Sequence, residues 1–250
     1  MKAYIINLAC DTRRREDMLS KIAGTPVADA EIFDAVDGRT MTADEAARRF
    51  DFERFARTHR SPRPNPGEVG CTLSHYSLWQ RIAADSEPAV ILEDDIHFTG
   101  PWEQPLEYCA NWLASDEPRV VLMVRQFFYR RAVEVLSGVR AARPISACGT
   151  ECYVINPAGA RLLLGLGLPH YVADEWDYYA SQGLQISALL DHPVSVDYDY
   201  ATNIPTRSAW NHDWNIFTKI AAAFPFYSKY FLAKTGLLHL YDRDWHWKKK

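Results

Sequence analysis

The sequence predicts an α/β sandwich of Rossmann type with a mostly parallel central sheet. Three observations carry this. Short apolar runs of strand length recur at residues 3–8, 89–92, 120–124 and 152–155. Segments with helical apolar spacing alternate with them. An acidic cluster, Glu93-Asp94-Asp95, follows directly on one such run, at the strand end where open α/β sheets bind ligands.

The elements follow in order. AYIINL at 3–8 is a short buried strand, and Asp11 to Arg15 form a polar turn. Residues 14–23 suit a helix with Met18, Leu19 and Ile22 on its inner face. Ala30 to Val36 suggests a second strand, closed by the turn pair Asp37-Gly38. Thr42 caps a helix starting near Ala43, with Glu45 completing a capping box. The alternating prolines Pro62, Pro64 and Pro66 make 60–70 a loop. A helix is expected over 71–84, with Leu78, Trp79, Ile82 and Ala83 on one face. Residues 89–92, AVIL, form a central strand, and 120–124 and 152–155 repeat the pattern. Asn156 then caps a helix with Pro157 at its first position.

Composition narrows the function classes. The 250 residues hold 32 acidic and 28 basic side chains, net -4, which is no general nucleic-acid binder. Cys10, Cys71, Cys109, Cys148 and Cys152 lack zinc-ribbon spacing, and their odd number suits a reducing compartment. The apolar run at the N-terminus is too short for a signal peptide, and no stretch reaches bilayer-spanning length. A cytoplasmic protein is the expectation. Residues 171–200 carry six acids and no Lys or Arg, whereas 201–250 carry eight basic residues against three acidic, net +5. The acidic stretch suits a cation or a hydroxyl-rich substrate, and the basic end an anionic surface.

The acidic triplet is the sharpest signal. Three adjacent carboxylates at the edge of a core repel one another and lose hydration. A divalent cation relieves both costs, and oxygen-only ligands favour Mn²⁺ or Mg²⁺, with diphosphate oxygens completing the shell. Extended backbone puts Glu93 and Asp95 on one face and Asp94 on the other. The plain alternative is a solvated strand end. The element resembles the Asp-x-Asp motif of nucleotide-sugar-dependent glycosyltransferases.

Five ordered blocks extend the likeness. They are YIINLACDTRRREDM (4–18), FDAVDG (33–38), GEVGCTLSHYSLWQRI (67–82), VILEDDI (90–96) and GTECYVINPAGARLLL (149–164). Together they resemble glycosyltransferase family 25, the bacterial lipooligosaccharide galactosyltransferases with animal collagen-modifying relatives. Residues 100–145 and the last 40 match least.

The resemblance implies a GT-A-like fold in one domain over 1–250. Its parts would be a nucleotide-sugar part (1–100), an acceptor and catalytic part (101–213) and a basic aromatic extension (214–250). It implies an inverting transfer of galactose from UDP-galactose to a lipooligosaccharide or LPS core sugar, in the manner of a β-1,4-galactosyltransferase. The cofactor would be Mn²⁺ or Mg²⁺, held by Glu93, Asp94, Asp95 and a later His. His192 and His212 are the candidates, and His212 is preferred. Asn7, Leu8 and Arg13 or Arg14 would open the nucleotide pocket, with Asp37 and Gly38 at the ribose or base. Gly67 and Gly70 allow close approach at a helix start whose N–H groups can meet phosphate. Ser74 and His75 would hold the loop or diphosphate, Asp94 would also face the donor, and Thr150 would line the donor-sugar or acceptor groove.

An inverting transfer needs a carboxylate to take the acceptor's proton. LPHYVADEWD offers Asp174, Glu175 and Asp177, with Asp174 preferred. Trp176, Tyr178 and Tyr179 can stack on sugars or belong to the core. Arg207 and Ser208 are either phosphate contacts or ordinary loop. The C-terminal mixture of Phe, Tyr, Trp and Lys suits peripheral contact with an anionic inner membrane face or a packed helix. Alternatives are another UDP-hexose donor for the same oligosaccharide or lipid-linked acceptor, a metal-dependent phosphohydrolase, or a catalytically silent carbohydrate-binding protein.

Overall fold

Strand β1 (Lys2–Asn7) is buried on both faces, so it needs strands on either side and helices above and below. Its even residues Tyr4 and Ile6 join one apolar layer, and Ile5 joins the opposite one. The computed structural model, which describes residues 1–59, 63–198 and 228–242, meets that need with a nine-stranded sheet. Parallel neighbours β2 (Glu31–Asp34) and β3 (Ala89–Glu93) flank β1. Beyond β3 come β8 (Cys152–Ile155), β5 (Arg119–Leu122), β9 (Gln185–Leu189), β7 (Val139–Cys148), β6 (Gln126–Leu136) and β11 (His239–Asp242). Following the pairings outward, β1, β2, β3, β5, β6 and β9 run one way, and β7, β8 and β11 the other. A separate ribbon pairs β4 (Ile96–Phe98) with β10 (Val194–Val196).

Helices cover both faces, giving the expected α/β sandwich. Met18 and Ile22 of α1 (Thr12–Ile22) and Cys109 and Leu113 of α5 (Glu103–Leu113) pack on one face. The other carries α4 (Pro66–Ala83), α6 (Pro157–Gly165) and α7 (Trp176–Ser181). Two short helices, α2 (Ala43–Arg49) and α3 (Phe52–His59), are fixed by a small cluster of Phe50, Phe55, Val69, Leu73 and Val172. No helix of the described residues is long and apolar enough to cross a membrane.

Several local expectations need correction. Helix α4 starts at Pro66 and not at 71. Pro is disfavoured inside a helix but suits its first position, and Asn65 and Glu68 close a capping box around it. Gly70 is therefore inside the helix, and Ser74 and His75 lie in its middle turns. Leu19 is exposed, and the inner face of α1 is Arg14, Met18 and Ile22. The long hairpin β6–β7 was hidden because Arg130, Arg131, Arg140 and Arg143 interrupt its apolar pattern. Within 214–250, residues 228–242 belong to the folded body: β11 pairs with β6, and Leu238 is buried.

Gly38 and Gly70 set how closely the loop after β2 lies on α4. A Cβ on Gly70 would stand 2.4 Å from the Val36 carbonyl oxygen and 2.6 Å from the Gly38 nitrogen. A Cβ on Gly38 would stand 1.9 Å from the Pro66 carbonyl oxygen. Ser74 adds a hydrogen bond, its Oγ accepting from Val36 N at 2.8 Å. Gly70→Ala is expected to destabilise by about 1–3 kcal/mol, as overpacking does. A thermal melt should then fall by several degrees, at about 2–4 °C per kcal/mol for a chain this size. An unchanged melt would mean that the crossing opens without cost.

Candidate active site

The acidic turn sits where three segments end together. The register pairs Ile6 with Glu93 and Leu92 with Cys152. Glu93 N donates to the Glu151 carbonyl at 3.0 Å, which ties the entry to β8 against the end of β3. Asp197 N donates to the Asp95 carbonyl at 2.7 Å, bringing the segment after β10 to the same place. Two cavities meet here, and Glu93, Asp95 and Cys71 line both.

The smaller cavity, about 120 Å³, lies over β1 and β2. Ile6, Leu8 and Val36 give it apolar walls, and Arg14, Asp37 and Gly38 give polar ones. Asp94 anchors this side. Its Oδ1 accepts from Arg14 Nη1 at 2.9 Å and its Oδ2 from Asn7 Nδ2 at 2.7 Å. Arg14 is buried, and its Nη1 also lies 3.8 Å from Asp95 Oδ2. Asp37 is gripped by Arg39, which holds its carboxyl below the ordinary range.

The larger cavity, about 580 Å³, is strongly acidic. Glu93, Asp95, Glu151, Asp174, Glu175 and Asp197 all line it, together with Arg125. Asp174 Oδ2 accepts from Gly149 N at 3.2 Å, and Glu151 Oε1 meets Arg125 Nε at 3.1 Å. Thr150 Oγ1 donates to Glu93 Oε1. Gly149 has φ +93°, and a Cβ there would strike the Glu151 carboxylate at 2.2 Å, so this turn requires glycine.

The charges are not balanced locally. Burial pushes the Asp95 carboxyl up to about 7, with repulsion from Glu93 and Asp94 adding to it. Burial pushes Glu151 up to about 8 against the pull of Arg125. Glu93 goes the other way: burial acts upward, but His75, Thr150 and Arg125 hold it below its ordinary value. One oxygen of Glu151, Oε2, is buried without a hydrogen-bond partner. Oxygen ligands with excess negative charge and an unsatisfied lone pair fit a hard divalent cation. Glu93 and Asp95, which line both cavities, are the carboxylates that would hold one, although with Glu151 they do not form a closed group of ligand atoms among the described residues.

The structure therefore sorts the candidates. Asn7, Leu8, Arg14, Asp37, Gly38, Ser74, His75, Asp94, Glu93 and Asp95 gather at the smaller cavity or its anchoring network. Arg13 is exposed on α1 and does not line it. Gly70 lies beneath the Gly38 loop as a packing contact, while Gly67 lines the cavity. Thr150, Asp174 and Glu175 line the larger cavity. Asp177 faces elsewhere, accepting from Ala147 N and from Lys229 Nζ at 2.8 Å. His192 is buried and lines neither cavity, with its Nε2 3.1 Å from the Tyr241 hydroxyl. His212, Arg207 and Ser208 lie outside the described residues. Trp176 and Tyr179 are core residues, and Tyr178 stacks on Tyr171. Sequence reasoning missed Glu151, Arg125 and Cys71. Glu151 and Cys71 stood within the quoted blocks GTECYVI and GEVGCTLSH, whereas Arg125 has no local signal.

Behind the acids lies a buried polar knot. The Tyr153 hydroxyl accepts from Trp79 Nε1 at 2.9 Å and lies 2.9 Å from His75 Nδ1. His75 is fully buried, with Nε2 pointing toward Glu93 Oε1 at 3.5 Å.

Comparisons with known proteins bear on the family of the chain. A family model described as "Glycosyltransferase family 25 (LPS biosynthesis protein)" matches residues 1–175. A putative glycosyltransferase, R655, of Acanthamoeba polyphaga mimivirus is 29% identical over 186 residues, 73% of this chain and 51% of that protein. The inactive glycosyltransferase 25 family member 3 of Mus musculus is 32% identical over 242 residues, covering 85% and 40%. Procollagen galactosyltransferase 2 of Homo sapiens is 25% identical over 241 residues, covering 84% and 38%. The chain thus spans about half the length of these relatives or less.

Tyr153→Phe should cost about 1–3 kcal/mol of unfolding free energy, read as a lower denaturation midpoint at unchanged m-value, because Trp79 Nε1 would be left buried without an acceptor. A midpoint equal to that of the unaltered protein would dismiss the knot as a stabilising feature.

Proposed function

Since the chain belongs to glycosyltransferase family 25, we propose that it transfers a hexosyl group, galactose, from a UDP-sugar to a saccharide hydroxyl with inversion. The observation that supports this most is the shared wall: Glu93 and Asp95 face the narrow cavity and the broad one at once. A donor diphosphate at that junction places its sugar toward the larger cavity, where the acceptor enters. Glu93 and Asp95 would hold Mn²⁺ or Mg²⁺, which supplies positive charge to the departing UDP. Asp94 keeps the turn in place through Arg14 and Asn7. Arg14, which lines the smaller cavity 3.8 Å from Asp95, is our cation for a phosphate oxygen.

Asp174 is our base, because it opens into the larger cavity and its carboxylate is steered by Gly149 N. Glu175 lines the same cavity and is the alternative, whereas Asp177 is tied to Lys229. The acceptor we favour is a lipid-linked lipooligosaccharide core sugar. Peripheral membrane contact is assigned to the basic end beyond Asp242, so that a truncation there leaves β11 whole.

A donor screen with UDP-galactose, UDP-glucose and UDP-N-acetyl sugars, with Mn²⁺, an oligosaccharide acceptor and mass detection, tests the reaction. UDP-galactose should give a hexosylated product. Hydrolysis without acceptor would favour a phosphohydrolase. Binding without turnover would favour a silent carbohydrate-binding protein, which the likeness to the inactive mouse relative keeps in view. Asp174→Asn should cut kcat by about 10²–10⁴ with UDP affinity retained, as loss of a general base does. Asp177→Asn should stay within a few-fold of the parent. The reverse ranking would move the base to Asp177.

A further inference from the structure

We propose that Cys71, His75 and Glu93 form a second kind of cation site, one for a thiophilic divalent ion of the Zn²⁺ class. Cys71 and His75 are four residues apart on α4 and so share one helix face, and Glu93 ends β3 directly opposite. Their ligand atoms, one from each, all lie within 4.8 Å of one another. Zinc bonds of about 2.0–2.3 Å place tetrahedral ligands about 3.3–3.8 Å apart, so a closure of roughly 1 Å completes the set.

A second observation points to a ligand independently of this clustering. His75 is fully buried, yet its Nε2 has no hydrogen-bond partner. Glu93 Oε1 lies 3.5 Å away, an ion-pair contact that helps to hold the Glu93 carboxyl down but falls short of hydrogen-bond geometry. Leaving such a nitrogen unpaired costs free energy, and a metal ion would satisfy it. The other ring nitrogen is already served, since Nδ1 lies 2.9 Å from the Tyr153 hydroxyl. That is the outer-shell partner a metal-binding imidazole requires.

The donor set decides the class of ion. Thiolate and imidazole favour Zn²⁺ over Mn²⁺ or Mg²⁺, which prefer oxygen. On binding, the Cys71 thiol would lose its proton to solvent and form the S–metal bond. Three protein ligands leave a fourth position for water. Cys71 lines both cavities, so an ion can enter from either. Glu93 is common to this site and to the proposed Mn²⁺ site, so the two ions would compete. That consequence for transfer rests on the proposed function, whereas the site itself does not.

Co²⁺ is the probe, added to the reduced, chelator-treated and tag-free full chain. The expected result is one Co²⁺ per chain with a thiolate-to-metal band in the near ultraviolet, bleached by one equivalent of Zn²⁺. Cys71→Ser should lose the band, and Cys10→Ser should keep it. In the unaltered protein, Zn²⁺ should protect Cys71 but not Cys10 from alkylation, read by peptide mass spectrometry, which needs no variant to fold. Tyr153→Phe should keep the band with affinity lowered about 10–100-fold, the usual effect of losing an outer-shell partner. A band that survives in Cys71→Ser, no band in the parent, or equal alkylation with and without Zn²⁺ would overturn the site. Mn²⁺-dependent UDP binding, measured separately, reports on the transferase reading whatever the Co²⁺ outcome.

Discussion

Charge at the end of β3 is the constraint on which the site depends. Three consecutive carboxylates leave a buried strand, and a fourth, Glu151, arrives from the neighbouring one. Arg14 and Asn7 hydrogen-bond Asp94 without cancelling its cost, and burial still lifts its carboxyl above the ordinary range. Arg125 meets Glu151. Asp95 is left in a part-buried junction, where burial first, and then the fields of Glu93 and Asp94, lift its carboxyl to about 7. Proteins keep such repulsion where it serves chemistry. We propose that a bound cation removes it here.

The surrounding fold holds the conflict in place. Parallel pairing of β1 with β3 puts Asn7 and Glu93 at one edge of the sheet, and antiparallel β8 brings Thr150 and Glu151 to the same edge from the other direction. The mixed sheet thus assembles what a purely parallel sheet of these strands would separate. On the side of the smaller cavity, the Gly38–Gly70 crossing lets the loop after β2 press on α4. On the other side, Gly149 bends tightly over Glu151 while its N–H steers Asp174. Each glycine marks a place where backbone must approach closely.

Much of this is legible in the chain, and the illegible parts have physical causes. Runs such as YIIN and VIL announce buried strands, because both faces are apolar. The caps at Thr42 and Asn156 declare helix starts through local hydrogen bonds. Pro66 misled because proline is helix-breaking inside and helix-starting at the first position, and only the cap at Asn65 separates the two cases. The β6–β7 hairpin is half exposed, so arginines replace the apolar signal. Asp174 and Asp177 are equivalent in sequence. Lys229, 52 residues downstream of Asp177, separates them, and that contact is tertiary. Arg125 is invisible for the same reason: its partner Glu151 lies in the turn before β8.

The relatives include proteins named as inactive, so family membership leaves the working state of this junction to experiment. The most direct measurement is UDP affinity by titration calorimetry, with Mn²⁺ and with a chelator in its place. The account predicts at least a tenfold gain in affinity with Mn²⁺, which Glu93→Gln removes. Equal affinity in the two conditions would contradict it, because the carboxylates at the end of β3 would then hold no ion that the diphosphate can feel.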